Sequence, residues 1–282
     1  MYTLKVKNNR GDILNLTNNP DYSVTRITGL NPPPATINKT ANTTIDGSKI
    51  NSTKIESRNI VIYIKPEGDI ETSRIRLYKY FPSQETVTLF FKNGARNVYI
   101  TGTVETVEIN HCENPQIAQI SIFCSEPYFK DIEILEISFS DITPHFEFPF
   151  SIPEEGIEIS TYLLNTRKCI ENPSDIKTGV TIKLYAMGEV INPTLYDVTH
   201  NLFIKLNISM QTNDIITITT DVDNKNVILI RNGKVINALG YMRPDSKWFY
   251  LSAGDNVYTY ECESGATNLK IDVSAPILYS GV

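Results

Sequence analysis

Histidine and tryptophan are scarce, with three of the former and one of the latter in 282 residues. His111, His145 and His200 stand far apart, and His111 and Cys112, as strand neighbours, point to opposite faces. A zinc site needs several convergent ligands, so no metal is expected. Cysteine is thin as well: Cys112, Cys124, Cys169 and Cys262, with no C-x-x-C pair. No apolar run approaches the ~18 residues that a membrane-crossing helix needs. The segment Met1–Lys5 opens no signal peptide, so the expectation is a soluble, non-secreted protein without a disulfide framework. Its sequons, such as Asn207-Ile208-Ser209, would then stay unmodified. Fourteen glycines and 15 prolines are too few for a collagen-like chain, and 41% hydrophobic residues are too many for general disorder.

Catalytic signatures are missing too. The chain contains no G-x-S-x-G, no phosphate-binding G-x-x-x-x-G-K-[ST], no H-E-x-x-H and no kinase motif set. Asp221-Val222-Asp223-Asn224 opens like a calcium loop, but Lys225 takes the next ligand position and no glycine follows, which predicts a strand-ending turn. Glu154-Glu155 and the pair Glu133 and Glu136 read as solvated carboxylates. No catalytic residue, metal or cofactor is expected, and the chain is not expected to be an enzyme.

Charge is present but uneven. The net charge of −6 argues against a general nucleic-acid binder. Residues 1–100 carry 14 Lys and Arg against 8 Asp and Glu, whereas residues 101–200 carry 5 against 16. A basic first third beside an acidic middle can pair within a molecule or between copies, although ordinary solvated faces are the favoured account of the asymmetry alone.

Period-2 alternation of β-branched and aromatic residues between turn signals dominates the pattern, so the fold is expected to be mainly β. Val98, Ile100 and Val104 share one parity, and Val107 and Ile109 share the other, which predicts a β-bulge near Glu105-Thr106. Ala118, Ile120, Ile122 and Cys124 share the face of the next strand. The turn between the two strands centres on Glu113-Asn114, a register that sets Cys124 opposite Thr103 and away from Cys112. One helix is expected over Ile70–Phe81, capped by Asp69 and stopped by Pro82, with Ile70, Leu77, Tyr78 and Phe81 as its apolar face.

Residues 28–58 break the pattern. Pro32-Pro33-Pro34 cannot enter a regular ladder. Thr36–Ser57 is rich in Thr, Asn and Ser, with Asp46-Gly47 as a turn signal. This reads as a long polar hairpin arm on a stiff base. Such an arm buries no core of its own, and contact with a partner suits it better than looseness.

A second set of strands follows a boundary between Asp131 and Thr143, with Glu147–Pro153 as an edge-like or linker run. Val180, Ile182, Leu184 and Ala186 alternate with polar neighbours, as do Ile204, Leu206, Ile208 and Met210. Asn232-Gly233 between Val227–Arg231 and Lys234–Leu239 is the strongest hairpin signal. Trp248 and Tyr250 share a face and could form a sugar platform, while the simpler reading puts one face of Trp248–Leu251 in a sandwich core.

A series of phrases, in order along nearly the whole chain, resembles the distal tail proteins of phages that infect low-GC Gram-positive bacteria. They include Asp21–Leu30, Pro32-Pro33, Ile45-Asp46-Gly47, Arg58–Val61, Asp69-Ile70-Glu71 with Arg74, Leu77–Phe81, Ala118–Ile122 with Cys124, and Pro127-Tyr128-Phe129. Phe146–Pro153, Gly254-Asp255-Asn256 and Tyr279–Val282 continue the series. The resemblance implies an N-terminal β-sandwich, residues 1–135, with one helix and a β-hairpin belt at about 28–58. It also implies a C-terminal galectin-like jelly-roll β-sandwich, residues 136–282.

It further implies a homo-hexameric ring in the virion, at the tail tip or baseplate, assembled in the bacterial cytoplasm. The ring would connect the tail tube protein to a tail-associated lysin or fibre protein, with a receptor-binding protein as a further partner. Neither membrane nor nucleic acid is expected as a partner. The expected ring-interface residues are Ile27, Thr28, Gly29, Leu30, Pro32, Pro33, Ile45, Asp46, Gly47 and Arg58. The alternative is a carbohydrate-binding module that touches the host cell wall through Trp248 and Tyr250.

Overall fold

The computed structural model describes residues 2–41, 46–144, 160–164 and 167–282. It divides into two units, Met1–Ile132 with Leu278–Val282, and Glu133–Ile277. The last five residues of the chain thus belong to the first unit. The anticipated linker at Glu147–Pro153, with His145 and Ile45, lies outside the described residues.

The first unit contains β1 (Thr3–Lys7), β2 (Ile13–Asn15), β3 (Tyr22–Thr28), β4 (Ala35–Ala41), β5 (Ser48–Ile55) and β6 (Arg58–Pro66). After them come α1 (Ile70–Tyr80), β7 (Thr86–Lys92), β8 (Asn97–Ile109), β9 (Ala118–Cys124) and the start of β10 (Phe129–Ser138). Seven strands run antiparallel in the order β2-β1-β7-β8-β9-β6-β3. The long β8 pairs β7 through its first half and β9 through its second. Its bulge leaves Glu105 unpaired between Val104 and Thr106, where the parity of the sequence changes. Alternation then delivers Ile60, Ile62 and Ile64 of β6 and Ala118, Ile120, Ile122 and Cys124 of β9 to one buried core with Leu4, Val6 and Phe129.

The same bulge corrects a sequence expectation. Near the turn, Ile109 pairs Ala118 as expected, but beyond Glu105 the register advances by one, so Thr103 faces Phe123. On the other side of β9, Cys124 lies opposite Arg58 of β6. It is a free thiol, as is Cys112.

Asp69 caps α1, accepting hydrogen bonds from the Thr72 N–H and hydroxyl, and the Phe81 N–H closes on Leu77 O at 2.9 Å. Only half of the expected apolar face is buried. Leu77 and Phe81 enter the core, whereas Tyr78 remains 38% exposed and Ile70, at the opening turn, 41%. At 3.6 residues per turn Tyr78 lies about 100° round from Leu77. Buried Ser73 holds the remaining contact instead, with its hydroxyl on Glu67 O and its carbonyl accepting from the Tyr22 hydroxyl.

In the second unit, β11 (Ser140–Pro144) pairs β12 (Ser160–Leu164). The rest comprises β13 (Arg167–Asn172), β14 (Thr181–Ala186), β15 (Val190–Ile191), β16 (Thr194–Asp197), β17 (Leu202–Lys205), β18 (Ser209–Met210), β19 (Ile215–Thr219), β20 (Asn226–Arg231), β21 (Lys234–Asn237), β22 (Gly254–Glu261) and β23 (Leu269–Tyr279), whose last two residues belong to the first unit. One sheet runs β23-β14-β19-β20-β21 and the other β13-β22-β16-β17. Ile182, Leu184, Ile216, Ile218, Ile271 and Val273 of the first sheet and Ile170, Leu195, Ile204 and Tyr258 of the second share one core. Two sheets on one core make a β-sandwich. The hairpin β20–β21 turns at Asn232 and Gly233, both at positive φ (50° and 73°), the conformation that a two-residue type I′ loop requires.

Candidate functional site: the arm and its anchor

The segment between β3 and β6 is the polar arm. β4 and β5 pair only with each other, and every described residue on them is exposed. The sequence accounts for this. The Thr, Asn and Ser side chains hydrogen-bond across the ribbon, Asn38 to Ser52 at 3.0 Å and Asn51 to Thr40 at 2.6 Å, and need no core.

The two faces of the ribbon differ because of a second bulge. Asn38 pairs Ser52 but Lys39 pairs Ile50, leaving Asn51 extra. Cross-strand partners share a face, so Ile50 and its partner Lys39 join Ile37, Ile55, Ala35, Thr53, Ala41 and Ser48 on one side. Thr36, Asn38, Thr40, Lys49, Ser52 and Lys54 occupy the other. In an unbulged ribbon Ile50 would stand among the polar set. The three isoleucines are 51%, 60% and 36% exposed at positions 37, 50 and 55.

The base is rigid by contrast. Arg58 is 3% exposed, and its guanidinium reaches four backbone carbonyls: Pro127 O from Nε at 2.7 Å, Gly29 O and Asn31 O from Nη1 at 2.5 and 3.0 Å, and Ser280 O from Nη2 at 2.5 Å. Its plane lies 4.5 Å from the Phe129 ring centroid. Burial lowers its pKa, the direction expected of a cation taken out of water. Gly29 sits at φ +85°, and a Cβ there would come within 2.2 Å of Asn59 O, so only glycine lets β3 turn into the arm over β6. The tail closes the same knot: the Val282 N–H donates to Leu30 O at 3.1 Å, and Arg96 donates to Gly281 O while stacking 4.1 Å from the Tyr279 ring centroid.

The structure therefore separates the expected interface residues into two groups. Ile27 and Thr28 end β3 opposite Ile62 and Val61. Gly29, Leu30 and Arg58 join the knot, with Pro32 and Pro33 just beyond it. Asp46 and Gly47 sit exposed at the far end, Gly47 at φ +104°. Sequence reasoning did not single out Pro127 O, Ser280 O, Arg96 or the bulge at Asn51. The first two lie within phrases of the family resemblance; the bulge leaves no trace in composition.

In the second unit, Phe249 and Leu251 are buried in the core, and Trp248 and Tyr250 alternate with them at intermediate exposure. Trp248 packs against the core, and Lys177 Nζ lies 5.4 Å from the Tyr250 ring centroid. Nearby, Ser252 Oγ meets His200 Nε2 at 2.9 Å, and His200 Nδ1 meets buried Asp197 at 2.8 Å. The connectivity is that of a nucleophilic triad. However, the Ser252 N–H is spent on Asn256 Oδ1, and the Ser252 carbonyl accepts from Asn172 and Asn256. The chain acts as a clamp between the loops at 198–201 and 252. Among the described residues no three His, Cys, Asp or Glu converge as a metal site, and no helix is long and apolar enough to cross a membrane.

Comparison with known proteins places this geometry. No curated protein sequence matches the chain. Residues 174–274 match the family of the siphovirus-type tail component, C-terminal domain. The fold is similar to that of the SPP1 Dit (gp 19.1) protein, described as a paradigm of the hub adsorption apparatus in phages infecting Gram-positive bacteria, with a TM-score of 0.68, 13% identity and 98% of each chain covered. It is also similar to a chain of the phage P2 baseplate in its activated conformation with calcium, at a TM-score of 0.53 and 12% identity, again over 98% of each chain. A strontium form of that baseplate gives 0.51. The second unit thus carries the match to the siphovirus-type tail component family, over residues 174–274, and the fold over 98% of the chain is similar to that of the SPP1 Dit protein.

Proposed function

We propose that this chain is the hub subunit of a phage tail tip, six copies closing into a ring that joins the tail tube to a tail-associated or fibre protein. The arm is the observation that carries the reading: an exposed two-stranded ribbon with three isoleucines on one face, on a base fixed by Arg58. A ring uses heterologous contacts, in which each copy gives one patch and receives another. Covering the exposed parts of Ile37, Ile50 and Ile55 contributes roughly 3 kcal/mol per arm. That is weak for one pair of copies, but it repeats at every interface of a closed ring. The named hub and baseplate neighbours share the fold and support the assignment.

Light scattering on the purified chain tests it, with an arm deletion spanning Thr36–Ser57 as the comparison. A species near six subunits is expected, reverting to monomer in the deletion while both units keep their thermal transitions. A ring that survives the deletion sinks the role given to the arm.

A further inference from the structure

The outer face of the β23-β14 sheet carries a second constellation. Its cross-strand partners are Lys183 with Asp272 and Tyr185 with Lys270, and Glu136 and Ser138 of β10 border them. All of these except Lys270 line a cleft of about 360 Å³, within the roughly 300–1,000 Å³ range of small-molecule sites. One atom there is unsatisfied: Asp272 Oδ1 is buried without a hydrogen-bond partner, while Oδ2 lies 3.5 Å from Lys270 Nζ. Buried acceptors are rarely left unpaired, so this one calls for a donor from outside.

From this we infer that the cleft binds a neutral saccharide. A sugar presents hydroxyls that both give and take hydrogen bonds, and a C–H face that packs on an aromatic ring. The cleft offers Lys183 as donor, Glu136 and Asp272 as acceptors, and the Tyr185 ring, held by Lys270 Nζ at 5.6 Å, as a wall. Two carboxylates against one ammonium in the lining, with Lys270 beside it, leave no net positive charge, which disfavours a phosphate polymer. The lining is too polar for an apolar peptide anchor. This site is distinct from Trp248 and Tyr250, neither of which lines the cleft, and it stands independently of the ring.

The test is saturation-transfer NMR on the full chain with methyl glucoside, N-acetylglucosamine and inorganic phosphate as probes. Transfer to at least one of the two sugars is expected, with the dissociation constant rising about tenfold or more in Asp272→Ala and Tyr185→Ala and staying unchanged in Trp248→Ala. Lys183→Ala, on an exposed side chain, provides a variant whose folding is not at risk and should weaken binding as well. No transfer to either sugar, a stronger response to phosphate, or binding lost only in Trp248→Ala would overturn the inference. Loss of the ring by light scattering would leave it untouched.

Discussion

Replacing Arg58 by methionine keeps most of the side-chain volume against Phe129 but removes every donor. Four charge-assisted bonds hold that guanidinium, at 2.5 to 3.0 Å, to the carbonyls of Pro127, Gly29, Asn31 and Ser280. Each such bond contributes roughly 1.5–3 kcal/mol. Taking the cation out of water costs several kcal/mol and offsets a good part of that. The variant escapes the desolvation cost but strands four acceptors, so the net loss is about 3–5 kcal/mol. In a domain of this size 1 kcal/mol moves Tm by about 2–4 °C, so the transition of the first unit should fall by about 10 °C. Calorimetry reads this directly, with the second unit's transition as an internal reference. Arg58→Lys, with a point charge in place of the planar fork, should recover only part of the loss. An Arg58→Met protein that melts within a degree or two of the parent, an order-of-magnitude margin, would refute the reasoning. It would mean that burying the cation costs as much as its bonds return.

Two further outcomes follow from single side chains. At pH 8 a thiol reagent should modify exposed Cys112 and Cys169 rapidly; Cys124 and Cys262, both pushed up to about 11 by burial, should react only on unfolding, and rapid labelling of all four would contradict the packing. Burial alone would raise the pKa of Asp214, but hydrogen bonds from Arg231 and the Gln211 N–H outweigh it and hold the carboxyl below its usual value. The folded pKa is thus depressed, so the stabilisation is complete above an unfolded value of roughly 3.9 and is lost as pH falls below it. Asp214→Asn should melt lower at pH 7 and show a flatter fall in Tm below about pH 4; an unchanged acid slope would rule Asp214 out as its source.

The elements legible in the sequence were those specified by neighbours. Asp69, Pro82 and the hydrophobic positions between them define α1; Asn232-Gly233 defines its hairpin; the parity change at Val104 and Val107 defines the bulge. The consequence of that bulge was harder to read, because one extra residue moves every pairing beyond it, and Thr103 came to face Phe123 in place of Cys124. The anchor was legible only in part. Gly29 and Arg58 stood out, but their carbonyl partners are backbone atoms, to which no residue type corresponds, and Ser280 lies 222 positions from Arg58. The cleft at Tyr185 was invisible for a related reason, since its lining comes from three strands distant in sequence.

The tail that closes on Arg58, Arg96 and Leu30 bears on the order of events during synthesis. Residues 278–282 are translated after the whole of the second unit, yet they complete the first. Domains tend to fold as they emerge, N-terminal first. Here the first unit can gather its core early, with Arg58 already on Pro127 O, Gly29 O and Asn31 O, but the bonds involving Ser280, Gly281 and Val282 wait until the second unit has been made. A chain interrupted anywhere between residues 133 and 277 would present an arm whose base lacks the Ser280 carbonyl and the Val282 N–H.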